Sequence, residues 1–146
     1  MKILVSACLL GENCKYNGGN NYSPAVVNFT KDKVVIPVCP EMKAGYGCPR
    51  VPIEIVDGVL YDRNGKNVDA PMRQAICDIL EQLQGEEITC AVLKARSPTC
   101  GVHQVYDGTF SGKLIDGMGL FANALHKAGY PVMDDEEISK LSNIEL

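Results

Sequence analysis

Seven cysteines stand in this chain of 146 residues, at positions 8, 14, 39, 48, 77, 90 and 100, beside only two histidines. Thiolates are nucleophiles, redox groups and soft metal ligands, so their placement decides what chemistry is within reach. No two of them have the C-x-x-C spacing of a zinc ribbon or a thioredoxin-type dithiol. Three share a different kind of position. Cys8 ends the apolar run "KILVSAC", Cys39 ends "KVVIPVC", and Cys100 lies in "SPTCG", just beyond "TCAVLKARS". Cys14 and Cys48 fall in loops, where they are open to roles as a fourth ligand, a sulfur acceptor or plain exposed thiols. Cys77, on the border of a helix's apolar face, and Cys90, at the start of a buried strand, are expected to be packing residues.

The elements that carry these residues follow from hydrophobic pattern. "KILVSAC" (2–8) and "KVVIPVC" (33–39) are nearly continuous apolar runs, as strands buried on both faces are. Between them, "SPAVVNFTKD" offers Ser23 as an N-cap and Pro24 at the first helical position, so a short crossover helix completes a βαβ unit. A loop rich in Gly and Pro (40–52) precedes "IEIVDGVLYDRNGKN", whose alternation and Asp-Gly and Asn-Gly pairs predict a hairpin. In "DAPMRQAICDILEQLQG", Met72, Ala75, Ile76, Ile79, Leu80 and Leu83 keep the 3.6 period, with Asp69 expected to cap the helix and Gly85 to end it. "TCAVLKARS" (89–97) predicts a third strand, and "VHQVYDGTFSGKLIDG" reads as a long turn-rich region. "MGLFANALHKAGY" predicts a further helix ended by Gly129, with "PVM" starting a short last strand.

Strands alternating with helices imply one α/β domain over residues 1–146, a three-layer arrangement with a mainly parallel sheet flanked by helices. Ligands of such folds bind at the C-terminal ends of the strands. That geometry makes neighbours of Cys8, Cys39 and the loop from Ser97 to Cys100, although tens of residues separate them in sequence. Three thiols on three strand-end loops suit zinc, copper(I) or an iron–sulfur cluster. A cuboidal cluster with only three protein thiolates leaves one iron open, which distinguishes a catalytic centre from a closed structural one. Burial as small apolar side chains is the alternative.

Composition excludes other classes. A net charge of −4, with 14 basic residues scattered along the chain, provides no electropositive stripe for a large nucleic acid. No apolar run approaches the roughly 20 residues needed to span a bilayer. "MKILVSACLL" continues into a loop rather than a cleavage site, so it reads as a strand, and the reducing cytoplasm is the expected compartment. A small molecule is therefore the expected partner; oligomeric state leaves no signal.

Four segments, "VSACLLGENCKYNG", "PVCPEMKAGYGCPRVPIEI", "AVLKARSPTCG" and "YDGTFSGKLIDGMG", resemble the successive signature blocks of the domain of unknown function 523 family, which includes the thiouracil desulfidases. The resemblance implies a [4Fe–4S] cluster bound by three cysteines, whose open iron takes the sulfur of a thiolated base; the base leaves in its oxo form and sulfide is released. Matched block by block, the ligands are Cys8 of C-L-L-G, Cys39 of V-C-P-E and Cys100 of S-P-x-C-G, with Glu41 and Ser97 as catalytic residues. Glu41 would move a proton to or from water or a ring nitrogen, and Ser97 would orient water or substrate. Lys94 and Arg96, close to the same strand end, would balance cluster charge, hold an anionic substrate or form a surface ion pair; His103 is a candidate proton donor or plain polar surface, and His126 a bystander. Gly11, Gly45, Gly47 and Gly101 would allow close backbone approach. The alternative function is a metal- or cluster-binding protein that delivers or binds sulfur without desulfurising a base. Two segments depart from the family pattern: Tyr16-Asn17-Gly18 stands for Tyr-Asp-Gly, and Ala44-Gly45-Tyr46 for Gly-Gly-Leu. Both are expected near the substrate.

Overall fold

The apolar runs become strands, and their order in space follows from parallel pairing. The computed structural model describes the backbone of residues 1–144 and the side chains of residues 1–141. In chain order the elements are β1 (Lys2–Ser6), α1 (Pro24–Phe29), β2 (Val34–Val38), α2 (Pro40–Lys43), β3 (Ile53–Val56), β4 (Val59–Asp62), α3 (Asp69–Leu83), β5 (Ile88–Leu93), β6 (Gln104–Tyr106), β7 (Leu114–Asp116), α4 (Leu120–Lys127), β8 (Val132–Asp134) and α5 (Asp135–Ile144). β1 lies between β2 and β5, and β5 pairs with β8, giving a four-stranded sheet in the order β2-β1-β5-β8 with every pair parallel. The chain steps outward from β1 to β2 and then returns past β1 to β5. The strand order thus reverses between β1 and β5, where open α/β sheets leave a crevice for ligands.

Side chains alternate across the sheet with the period of two that a strand imposes. Ile3, Val5, Cys90 and Val92 face one way and pack with Val26 of α1 and Ile138 of α5. Leu4, Ala91 and Leu93 face the other way and pack with Ile76 and Ile79 of α3 and Phe121 and Leu125 of α4. The result is the expected three-layer arrangement of a parallel sheet flanked by helices. Ser23 caps α1 as its sequence predicts, its hydroxyl oxygen accepting from the Val26 N–H at 3.3 Å. β3 and β4 form the expected hairpin, turning at Asp57 and Gly58, both with positive φ, as a two-residue primed turn requires.

Four expectations are corrected. β2 is not buried on both faces; it is the sheet's edge, with Val34 58% exposed, and its Pro37 suits an edge because a central strand needs that N–H. Asp69 is the first residue of α3 rather than its cap, and its carboxylate accepts from the Leu60 N–H at 3.0 Å, tying the helix to the hairpin. The turn-rich region contains a second hairpin, β6–β7. Cys77 is exposed rather than packed, whereas Cys90 is buried as expected.

The start of α4 has no side-chain cap. Carbonyls of the loop after β5 serve instead: Gly119 N–H donates to Gly101 O (2.8 Å), Leu120 to Pro98 O (3.1 Å) and Phe121 to Thr99 O (2.9 Å). This contact needs the glycine, since a Cβ at Gly119 would lie 2.4 Å from the Thr99 carbonyl carbon. Gly119→Ala is expected to cost about 1–3 kcal/mol of stability in urea denaturation, the usual penalty of overpacking. Gly117→Ala, whose Cβ would meet Val105 at an ordinary 3.5 Å, is expected to stay within about 0.5 kcal/mol of the parent chain. Equal stabilities would contradict this packing.

Candidate active site

Each of the three strand-end thiols is set by a different local device. After β1 the backbone tightens into a single 3-10 turn, Ala7–Leu10, which carries Cys8. Asn21 closes over it: its N–H donates to Cys8 O at 3.0 Å and its side chain hydrogen-bonds the Cys8 thiol. Cys39 follows β2 directly and is the N-cap residue of α2, with Pro40 behind it at the first helical position. Cys100 is placed by Ser97, whose hydroxyl oxygen accepts from the N–H groups of Thr99 (3.1 Å) and Cys100 (3.0 Å). Ser6 joins two strand ends, its hydroxyl oxygen accepting from Lys94 N–H at 3.1 Å and its O–H meeting the Cys100 thiol. Gly101 leaves no room for a side chain, since a Cβ there would sit 2.6 Å from Gln104 O.

Cys8 and Cys100 sit in a desolvated place, near enough to Cys39 to feel its charge. Burial pushes the Cys100 thiol far above the ordinary thiol range, and Cys8, Glu41 and Cys39 push it in the same direction, against the Ser6 hydrogen bond. Burial likewise raises Cys8, with Cys39 and Asp135 adding to the rise, while Asn21 and Lys94 lower it. Cys14, left open by its sequence position, is buried against Cys39 and is raised chiefly by that burial and by Cys39 itself. Thiols so placed keep their protons at neutral pH, and a metal that binds them must displace those protons.

Glu41 forms the wall beside them. Its Oε1 accepts from Arg50 Nε at 3.0 Å and its Oε2 from the Thr99 hydroxyl at 3.3 Å. The ion pair is mostly buried, with side-chain exposures of 7% for Arg50 and 15% for Glu41. Arg50 also donates to Gly47 O (2.9 Å) and Cys14 O (2.9 Å), and its backbone N–H to Tyr16 O (2.6 Å). Cys48 completes the clamp: its single S–H is shared between the carbonyls of Asn13 (3.1 Å) and Lys15 (3.0 Å), which ties that loop down. Sequence reasoning passed over Arg50 and Ser6; the only signals were an arginine nine residues after the carboxylate and a serine two residues before a strand-end cysteine.

The other candidates divide. Lys94 lines the site, its Nζ 3.9 Å from Asp135 and 3.2 Å from Ala95 O. Arg96 pairs with Glu136 at 3.1 Å. His103 lies outside the cavity, exposed and 2.6 Å from Glu137. Its neighbours Asp134 and Glu137 form a helix capping pair, each side chain accepting the other's N–H (2.9 and 3.1 Å). His126 falls in the last turn of α4 and does not line the cavity. Of the two departures from the family pattern, Tyr16 lines the cavity and Asn17 shapes a turn by accepting from Gly19 N–H at 3.0 Å. Tyr46 faces away, its hydroxyl donating to Val68 O, and burial pushes its phenol up to about 12.

Cys8, Cys39, Cys100, Glu41, Arg50 and Ser97 all line one cavity of about 510 Å³, a volume suited to a small ligand. Tyr16, Tyr106 and Phe110 add an aromatic side. A second hollow of about 830 Å³ lies between β2 and α3, and touches the first only through Ala7, Cys14, Val38 and Cys39. Among the described residues, no helix is long and apolar enough to cross a membrane.

With this geometry in hand, comparisons with known proteins are specific. Residues 3–137 match the model of the 2-thiouracil desulfurase family. An uncharacterized protein of Bacillus subtilis (strain 168), YbbK, is 34% identical over 149 residues, covering 95% of this chain and 99% of its own. The solved structure of the [4Fe-4S]-dependent thiouracil desulfidase TudS (DUF523Vcz) is similar with a TM-score of 0.87 and 29% identity, covering 98% of this chain and 96% of that one. The sequence blocks, the parallel sheet with its thiols at the strand ends and the family match agree: the chain belongs to the 2-thiouracil desulfurase family.

Proposed function

We propose that this chain hydrolyses the carbon–sulfur bond of a small thiolated pyrimidine such as 2-thiouracil, giving the oxo base and sulfide, with a [4Fe–4S] cluster held by Cys8, Cys39 and Cys100. One observation carries the reading: three strand-end thiols, a carboxylate held by an arginine, and a serine line a single cavity of about 510 Å³. The family match and the likeness to a [4Fe-4S]-dependent desulfidase support it. The donor set fits such a group, because it is all sulfur, it comes from three separate elements, and burial keeps water from Cys8 and Cys100. When bound, the cluster supplies an iron with an open position that accepts the soft thiocarbonyl sulfur and makes its carbon electron-poor.

The remaining work falls to side chains. Glu41 keeps lone pairs beyond those given to Arg50 and Thr99, enough to accept a proton from the attacking water or an N–H of the base. Arg50 keeps that carboxylate aimed. Ser97, whose oxygen already accepts two backbone N–H groups, has its own O–H free to donate to water or substrate. Water supplies the oxygen of the product base and two protons; the sulfur leaves as sulfide, and no electrons are exchanged with an outside partner. The free thiols suit a reducing compartment, so the cytoplasm is the proposed location.

After anaerobic reconstitution with iron and sulfide, the protein is expected to consume 2-thiouracil, followed by loss of its ultraviolet absorbance, with one sulfide released per base. Cys100→Ala should lose both the bound iron and the turnover; undiminished turnover in that variant would refute the assignment, and a protein that takes up iron and binds sulfide without turnover would favour sulfur delivery instead. Arg50→Met tests the positioning of Glu41. Its iron content should stay at the parent level while kcat falls by about 10²-fold, the scale of a misplaced catalytic group. An unchanged kcat would show that Glu41 does not need its partner.

A further inference from the structure

Glu54 is a second carboxylate lining the same cavity, and the reaction as described makes no use of it. It is 8% exposed and forms no ion pair among the described residues. A buried carboxylate is costly unless hydrogen bonds replace its water. Here they come from one loop: Glu54 Oε1 accepts from the N–H groups of Gly108 (2.9 Å) and Phe110 (3.2 Å), in the connection between β6 and β7.

That loop is held in an unusual shape. Phe110 has φ +56°, the left-handed region that a residue with a Cβ rarely occupies, and such outliers persist where the surroundings over-determine them. Gly108 has φ +92°, and a Cβ there would come within 2.6 Å of Ile55 O, so the loop presses directly on β3 next to Glu54. Within the loop, the Thr109 hydroxyl donates to Asp107 at 2.6 Å. The effect of these constraints is to fix Phe110 in the wall of the cavity that the three thiols also line. A planar heteroaromatic ligand meets an aromatic face well, since stacking tolerates any base and excludes water from the opposite side.

Resting on the proposed desulfuration, we propose that Glu54 is a positioning residue that holds the β6–β7 loop in its strained shape so that Phe110 stacks on the thiolated base. Glu54 does not itself touch the base or carry its proton. The aromatic wall selects planar bases, and the carboxylate on the hairpin keeps that wall in place.

Steady-state kinetics of the reconstituted enzyme with 2-thiouracil test the pair. Phe110→Ala should raise KM about tenfold, the loss of one stacking contact, with kcat within about twofold, and Phe110→Tyr should behave as the parent. Glu54→Leu should reproduce the rise in KM, Glu54→Gln should restore it because an amide oxygen still accepts both N–H groups, and Glu54→Leu combined with Phe110→Ala should add nothing beyond either change alone. An unchanged KM in Phe110→Ala, or a loss of kcat in Glu54→Gln, would overturn the assignment. Ligand-observed NMR of 2-thiouracil with cluster-free protein reads the same contact without turnover. Saturation transfer present in the parent and lost in Phe110→Ala supports the stack even if no desulfuration occurs, whereas equal transfer contradicts it even if desulfuration proceeds.

Discussion

Parallel strands end on the same side of a sheet, and parallel pairing of β1 with both β2 and β5 is the constraint on which this site depends. Once Ile3 is registered with Val35 on one side and Cys90 on the other, the residues after β1, β2 and β5 have no choice but to meet. Three short departures from the strands then aim the thiols: a 3-10 turn for Cys8, a helix N-cap for Cys39 and a serine-anchored turn for Cys100. The two apolar layers keep that register, because a slip of one residue would turn Ile3 and Val5 out of one core and Leu4 out of the other.

Convergence has an electrostatic consequence. Sulfurs gathered at a desolvated strand edge disfavour one another's charged form, and Glu41 adds to that pressure on Cys100. Two compensations are visible. Arg50 pairs with Glu41 and spans the loop that carries Cys14, joining the wall of the site to its floor. Hydrogen bonds from Ser6 and Asn21 act directly on the thiols of Cys100 and Cys8. What remains uncompensated is the burial of Cys8 and Cys100, whose protons any metal bound there would have to displace.

The meeting of the three thiols at one cavity was legible because Cys8 and Cys39 close apolar runs and Cys100 follows a third by one short loop. That Glu41 and Ser97 share this cavity was expected only from the blocks that contain them. Arg50 was not: besides Glu41 and Gly47 its side chain holds the carbonyl of Cys14, more than thirty positions away, and side chain to backbone contacts leave no pattern in sequence. β2 was read as central because an apolar run reports hydrophobicity and not which neighbours are present; Pro37 was the available sign of an edge. β6 and β7 are three residues each, too short for alternation to register. Cys77 was misplaced because the edge of an amphipathic stripe divides exposed from packed positions by a single residue's rotation.

If Cys8, Cys39 and Cys100, and no fourth thiol, hold the proposed cluster, one iron is left open in the cavity that Glu41 lines. An anaerobic crystal structure with diffraction measured at the iron edge tests it directly. The expected result is four iron sites, three of them each bonded to one of Cys8, Cys39 and Cys100, with the fourth open toward Glu41 and Ser97. A single metal ion among those thiols, or a fourth iron closed by Cys14 or Cys48, would contradict it.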